Sequence, residues 1–143
     1  MAEVKEINIL LVEDTEEHAL LIRRGLEDGL LKHRLFWVKD GEEALDFLFQ
    51  RAGYAAVEDY PRPDIILLDL RLPKLSGNEV LEKIKAEDKL KDIPVVVLTV
   101  SDQREDIIRS LQSGAQSYVL KSVAIAPKTE GVRGILDAII SLV

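Results

Sequence analysis

No cysteine occurs in the 143 residues, which excludes disulfides, thiolate metal sites and thiol catalysis. Aromatic residues are scarce at 5%, with one tryptophan and one methionine, so a core has to be built from aliphatic side chains. No apolar run approaches the roughly 20 residues that cross a bilayer. Met1 to Glu6 lacks the apolar stretch of a secretion signal. Positive charge is in deficit, with 19 Lys and Arg against 26 Asp and Glu and a net charge of −7. A nucleic-acid partner needs a basic face, so none is expected, and neither is a membrane. The hydrophobic fraction of 47% is too high for a disordered chain, and the length suits one domain over 1–143. A soluble, cytoplasmic protein is the expectation.

What is present alternates regularly. Ile7-Asn8-Ile9-Leu10-Leu11-Val12 reads as a buried strand ending in Glu13-Asp14, and Thr15 to Asp28 as a helix carrying Ala19, Ile22 and Leu26. Leu35 to Val38 is a second strand, with Trp37 in the core, and Glu42 to Arg51 a second helix. Weak periodicity over 51–63, closed by Pro61-Arg62-Pro63, marks a longer surface connection. Ile65 to Leu68 is a third strand ending in Asp69, followed by a turn with Pro73 and Ser76-Gly77 and a helix carrying Val80, Leu81 and Ile84. Pro94 to Thr99, Asp102 to Ser113, Ser117 to Leu120 and Val132 to Leu142 complete the series as strand, helix, strand and helix. Strands apolar on both faces imply a parallel sheet covered on both sides. The expected fold is α/β: a flavodoxin-like, doubly wound, five-stranded parallel sheet in order 2-1-3-4-5, flanked by five helices.

In such sheets the functional crevice lies beyond the carboxyl ends of the strands. There the chain places Glu13, Asp14 and Asp69, with Thr99 and Lys121. Uncompensated carboxylates repel, and a hard cation such as Mg²⁺ relieves them while recruiting phosphate oxygens. A carboxylate beside that cation can attack phosphorus to give an aspartyl phosphate. Lys121 supplies a mobile positive charge and Thr99 a short hydroxyl donor.

Four segments then carry a family resemblance. They are Ile9 to Asp14; Ile66-Leu67-Leu68-Asp69-Leu70-Arg71-Leu72-Pro73 with Gly77; Pro94 to Thr99; and Gly114-Ala115 with Tyr118-Val119-Leu120-Lys121. The chain resembles the receiver domain of two-component response regulators. Its 51–63 connection is similar to that of the single-domain regulators associated with phytochrome kinases. The resemblance implies that Asp69 accepts a phosphoryl group from a sensor histidine kinase, with a phytochrome-type kinase as the partner the finer resemblance suggests. It implies Mg²⁺ held by Asp14 and Asp69, with Glu13 and the backbone carbonyl of Arg71. It also implies Thr99 and Lys121 on the phosphoryl oxygens and Tyr118 as an aromatic switch. No output domain fits after Lys121, so the expected output is a downstream protein target or a relay phosphotransferase. The apolar last helix, ending Ile139-Ile140-Ser141-Leu142-Val143, points to a homodimer.

Two departures accompany the resemblance. Ser122 follows Lys121 where the family has a proline in a cis peptide. A cis bond before serine would cost about 2.5–4 kcal/mol, leaving the loop trans, strained or differently folded. Val100 follows Thr99 where smaller residues are usual, and its bulk is expected to slow loss of the phosphoryl group. His18 and His33 read as surface or helix-end residues.

Three other readings compete. Asp14 with Glu17 has the spacing of a helix cap. A Mg²⁺-dependent phosphohydrolase would need a second acid where Arg71 stands. An unphosphorylated interaction or dimerisation module would need none of the strand-end set. The expectation is not an enzyme but a switch that transfers a phosphoryl group only to and from itself.

Overall fold

The structure, a computed structural model, describes residues 6–27, 32–99 and 104–124, together with Asp137 and Ser141. Its strands are β1 (Ile7–Val12), β2 (His33–Val38), β3 (Ile65–Asp69), β4 (Val95–Thr99) and β5 (Ser117–Leu120). Its helices are α1 (Glu16–Glu27), α2 (Gly41–Leu48), α3 (Gly77–Ala86), α4 (Arg104–Gln112) and a single turn, α5 (Lys121–Ala124). All pairings are parallel, in the order β2-β1-β3-β4-β5.

The continuous apolar runs of the central strands feed two cores at once, because successive side chains point to opposite faces. Leu10, Val12, Ile66, Leu68, Val95 and Val97 face α2 and α3 residues such as Leu45, Phe47, Val80 and Ile84. Ile9, Leu11, Ile65, Leu67, Val96 and Leu98 face Ala19, Ile22 and Leu26 of α1. β3 and β4 are buried along their whole length, as the middle of a covered sheet requires.

Helix entries follow their capping residues. The Asp40 carboxylate accepts the Glu43 N–H at 2.8 Å at the start of α2. Ser76 Oγ accepts the Glu79 N–H at 3.2 Å at the start of α3.

Several boundaries differ from the sequence reading. β2 begins at His33, before Leu35, because its backbone pairs with Ile7 of β1 whatever its side chains do. α2 ends at Leu48 rather than Arg51, since Gln50 takes a left-handed φ of 55°. The 51–63 connection holds a 3-10 turn over Ala52–Tyr54 and sets Tyr54 and Tyr60 against Phe47, with ring centres 5.2 and 5.9 Å away. The Lys121–Ser122 peptide is trans, and helical backbone begins at Lys121 itself. The last predicted helix, the dimer surface placed on it and Val100 lie outside the described residues, except that Asp137 and Ser141 are helical.

Candidate functional site

β1 ends in the buried Glu13 and the exposed Asp14, and β3 ends in the buried Asp69. Because β1 and β3 are hydrogen-bonded neighbours, their carboxyl ends fall side by side. One oxygen from each of Glu13, Asp14 and Asp69 lies within 4.8 Å of the others. An all-oxygen donor set of this kind suits a hard divalent cation.

Lys121 arrives from two strands away, at the end of β5. Its ammonium sits 2.9 and 3.2 Å from the two Glu13 oxygens and 3.1 Å from Asp69 Oδ2. With only 12% of its side chain exposed, it is the cation that offsets this acidic pocket. The 2.9 Å approach to Glu13 Oε1 lacks hydrogen-bond geometry, so that oxygen is buried with charge contact alone.

Electrostatics follow from this crowding. Burial pushes the Glu13 carboxyl up to about 7; hydrogen bonding from Lys121 opposes the rise, and the Asp69 charge adds to it. Burial works to lower the Lys121 ammonium, but the Glu13 and Asp69 carboxylates together hold it above its ordinary value.

The loop after Asp69 is tied down. The Arg71 N–H donates to Asp69 Oδ1 at 3.0 Å, and the Gly77 N–H returns to the Leu70 carbonyl at 2.9 Å. A Cβ on Gly77 would lie 2.5 Å from both the Asp69 carbonyl oxygen and Leu70 Cα, so only glycine allows this approach. Lys74, at a left-handed φ of 69°, reaches Asp40 Oδ2 at 3.3 Å and Glu42 Oε2 at 3.6 Å, linking the loop to the start of α2. Thr99 is buried at the end of β4, which neighbours β3. Tyr118 of β5 stands 45% exposed.

A family model for the response regulator receiver domain matches residues 9–130. The chain belongs to that family. The response regulator Rcp1 of Synechocystis sp. is 42% identical over 127 residues, covering 89% of this chain and 84% of the relative. Among solved structures, the phosphorylated cyanobacterial phytochrome response regulator RcpA is similar with a TM-score of 0.85 and 39% identity, covering 97% of each chain. The Mn²⁺-bound form of Rcp1 matches with a TM-score of 0.77 and 38% identity, over 94% of this chain and 92% of that one. Receiver-domain response regulators are signalling proteins, and the fold of this chain is theirs.

The receiver's strand-end residues Glu13, Asp14, Asp69 and Lys121 therefore converge, and Thr99 ends the neighbouring strand. Two participants escaped the sequence reading. The Trp37 indole N–H donates to the Glu13 backbone carbonyl at 2.7 Å, so this half-buried residue is more than core filling. His18, read as a surface or helix-end residue, does lie in the first turn of α1, but its buried Nδ1 also comes 3.9 Å from Glu13 Oε1, without a hydrogen bond, a contact the sequence reading did not foresee. The available signals were positional: Trp37 lies at the carboxyl end of the strand beside β1, and His18 in the first turn of α1.

Proposed function

We propose that this receiver accepts a phosphoryl group on Asp69 from the phosphohistidine of a sensor kinase, in a Mg²⁺-dependent reaction. The observation that carries this reading is the Lys121 ammonium, buried between Glu13 and Asp69 on strand ends distant in sequence. In the transfer, an Asp69 carboxylate oxygen forms the new P–O bond while the P–N bond of the donor breaks, and the electron pair leaves with the imidazole nitrogen. Glu13, Asp14, Asp69 and the Arg71 carbonyl would hold the metal, which when bound neutralises charge on the phosphoryl oxygens. In this reading Lys121, which contacts Asp69 in the free protein, binds those oxygens, and the Thr99 hydroxyl donates to another.

The response is a shift between two packings in which Thr99 draws inward and Tyr118 leaves its exposed position. Ile108 and Leu111 of α4 and Tyr118 of β5 are exposed, a face suited to a downstream protein target, a relay phosphotransferase or a second copy. Similarity to the phytochrome regulator RcpA favours a phytochrome-type kinase in the cytoplasm as the donor. Among the described residues no helix is long and apolar enough to cross a membrane.

Incubation with acetyl phosphate and Mg²⁺, followed by intact mass measurement, tests the proposal. Wild type should gain one phosphoryl mass and Asp69→Asn none. No gain in wild type, or an equal gain in both, would leave an interaction module instead.

A further inference from the structure

The β2 edge of the sheet carries chemistry that phosphotransfer does not use. Along β2, Leu35 and Trp37 face the α1 layer, whereas Phe36 and Val38 face the opposite core. Leu35, Phe36 and Trp37 are each only partly buried. A groove of about 140 Å³ runs between α1 and this edge, lined by Glu16, Ala19, Leu20, Arg23, Leu35 and Trp37. Leu20 is 44% exposed there.

Charge at this edge is opposite to that of the molecule. The chain carries −7, yet 32–39 reads Lys-His-Arg-Leu-Phe-Trp-Val-Lys without one acid. Arg23 adds a further cation in the groove, and Glu16 is the acid against it. The Arg34 guanidinium rests 4.9 Å from the Phe36 ring centre, and the Lys39 ammonium 5.4 Å from that of Trp37. Both cations are stacked along the edge on aromatic faces, and among the described residues neither forms an ion pair with a carboxylate.

We propose that β2 and the α1 groove form a docking site for an extended acidic and apolar peptide segment of another protein, added to the sheet as a sixth strand. The outward backbone groups of β2 supply the pairing, as they do wherever a peptide augments a sheet. Apolar side chains of the segment enter the groove over Leu35 and Trp37, while its alternate carboxylates project to the other face of the sheet and meet Arg34 beside Phe36; Arg23 and Lys39 flank the groove and add longer-range attraction. Basic residues alone would merely guard an edge against pairing. The apolar groove beside them makes this edge a receptor. A second copy is disfavoured, since β2 against β2 brings the same cations together. β1 separates this edge from β3, so the site is distinct from Asp69 although Trp37 borders both.

Trp37 is the single tryptophan, so its emission reports on the groove. The whole protein, at constant Mg²⁺ and low salt, is titrated with an end-blocked peptide of alternating Glu and Val, and with its Lys–Val counterpart. The acidic peptide should change Trp37 emission saturably, with amide shifts confined to β2 and α1. The basic peptide should bind about tenfold more weakly or not at all. Leu20→Asp, the double variant Arg34→Glu/Lys39→Glu, and N-methylation of alternate peptide amides should each weaken the response by a similar factor. Equal responses to both peptides, shifts elsewhere, unchanged binding by the variants, or pairing of the free protein through this edge in sedimentation would overturn the proposal. If a variant fails to fold, the two charge patterns and the N-methylated peptide decide it on wild type alone.

Discussion

Replacing Lys121 by methionine keeps most of the stem volume and deletes the cation, stranding the carboxylates of Glu13 and Asp69. At an effective dielectric near 20, unit charges about 3 Å apart attract by roughly 5 kcal/mol, most of which desolvation cancels. Removing one partner of a buried pair nevertheless costs about 3–5 kcal/mol when the remaining charge cannot neutralise itself. Here it can. Glu13 already titrates near 7, and Lys121 is what holds it from rising further. Below that pH the variant takes up a proton in place of the lost ammonium. Urea unfolding should therefore show Lys121→Met about 3 kcal/mol less stable than wild type at pH 8, but only about 1 kcal/mol less stable at pH 5.5. Wild type obeys the same linkage in its own window. A carboxyl raised from 4.5 to about 7 stabilises fully below 4.5, and that contribution is lost as pH rises through 7, amounting to about 3 kcal/mol. The raised Lys121 ammonium acts at the alkaline end, present below 10.5 and lost above its folded value. An equal loss in the variant at both pH values, or a larger loss at low pH, would refute the reasoning.

Three further outcomes are expected. With Glu13 among the proposed Mg²⁺ ligands, the cation has to displace its proton, so apparent Mg²⁺ affinity measured by Trp37 fluorescence should rise about tenfold between pH 6 and pH 8. Gly77→Ala drives a Cβ into the Asp69 and Leu70 backbone, and should lower stability by about 1–3 kcal/mol while slowing phosphorylation; calorimetry and intact mass measure the two effects. Trp37→Phe removes the hydrogen bond to the Glu13 carbonyl and should lose about 1 kcal/mol in urea unfolding.

The order of elements and the strand ends were legible because central strands buried on both faces are continuous apolar runs, as Ile65 to Leu68 shows. Edge strands send weaker signals. β2 is only partly buried over most of its length, and the sequence reading lost two residues at its start, where backbone pairing with Ile7 and Asn8 defines it. The ring packing of Tyr54 and Tyr60 on Phe47 was hidden for a different reason, since loop residues carry no periodicity to betray their partners.

The linear chain by itself determined which residues stand at strand termini, and that acids, a hydroxyl and an amine are the groups there. Local hydrophobic patterning and breakers are properties of neighbours in sequence, so they survive without coordinates. Folding alone decided that Lys121 grips Glu13 as well as Asp69, that the Trp37 indole supports the Glu13 backbone, and that a groove forms between α1 and the basic β2 strand. Those facts rest on distances between segments far apart in sequence, set by sheet order and register.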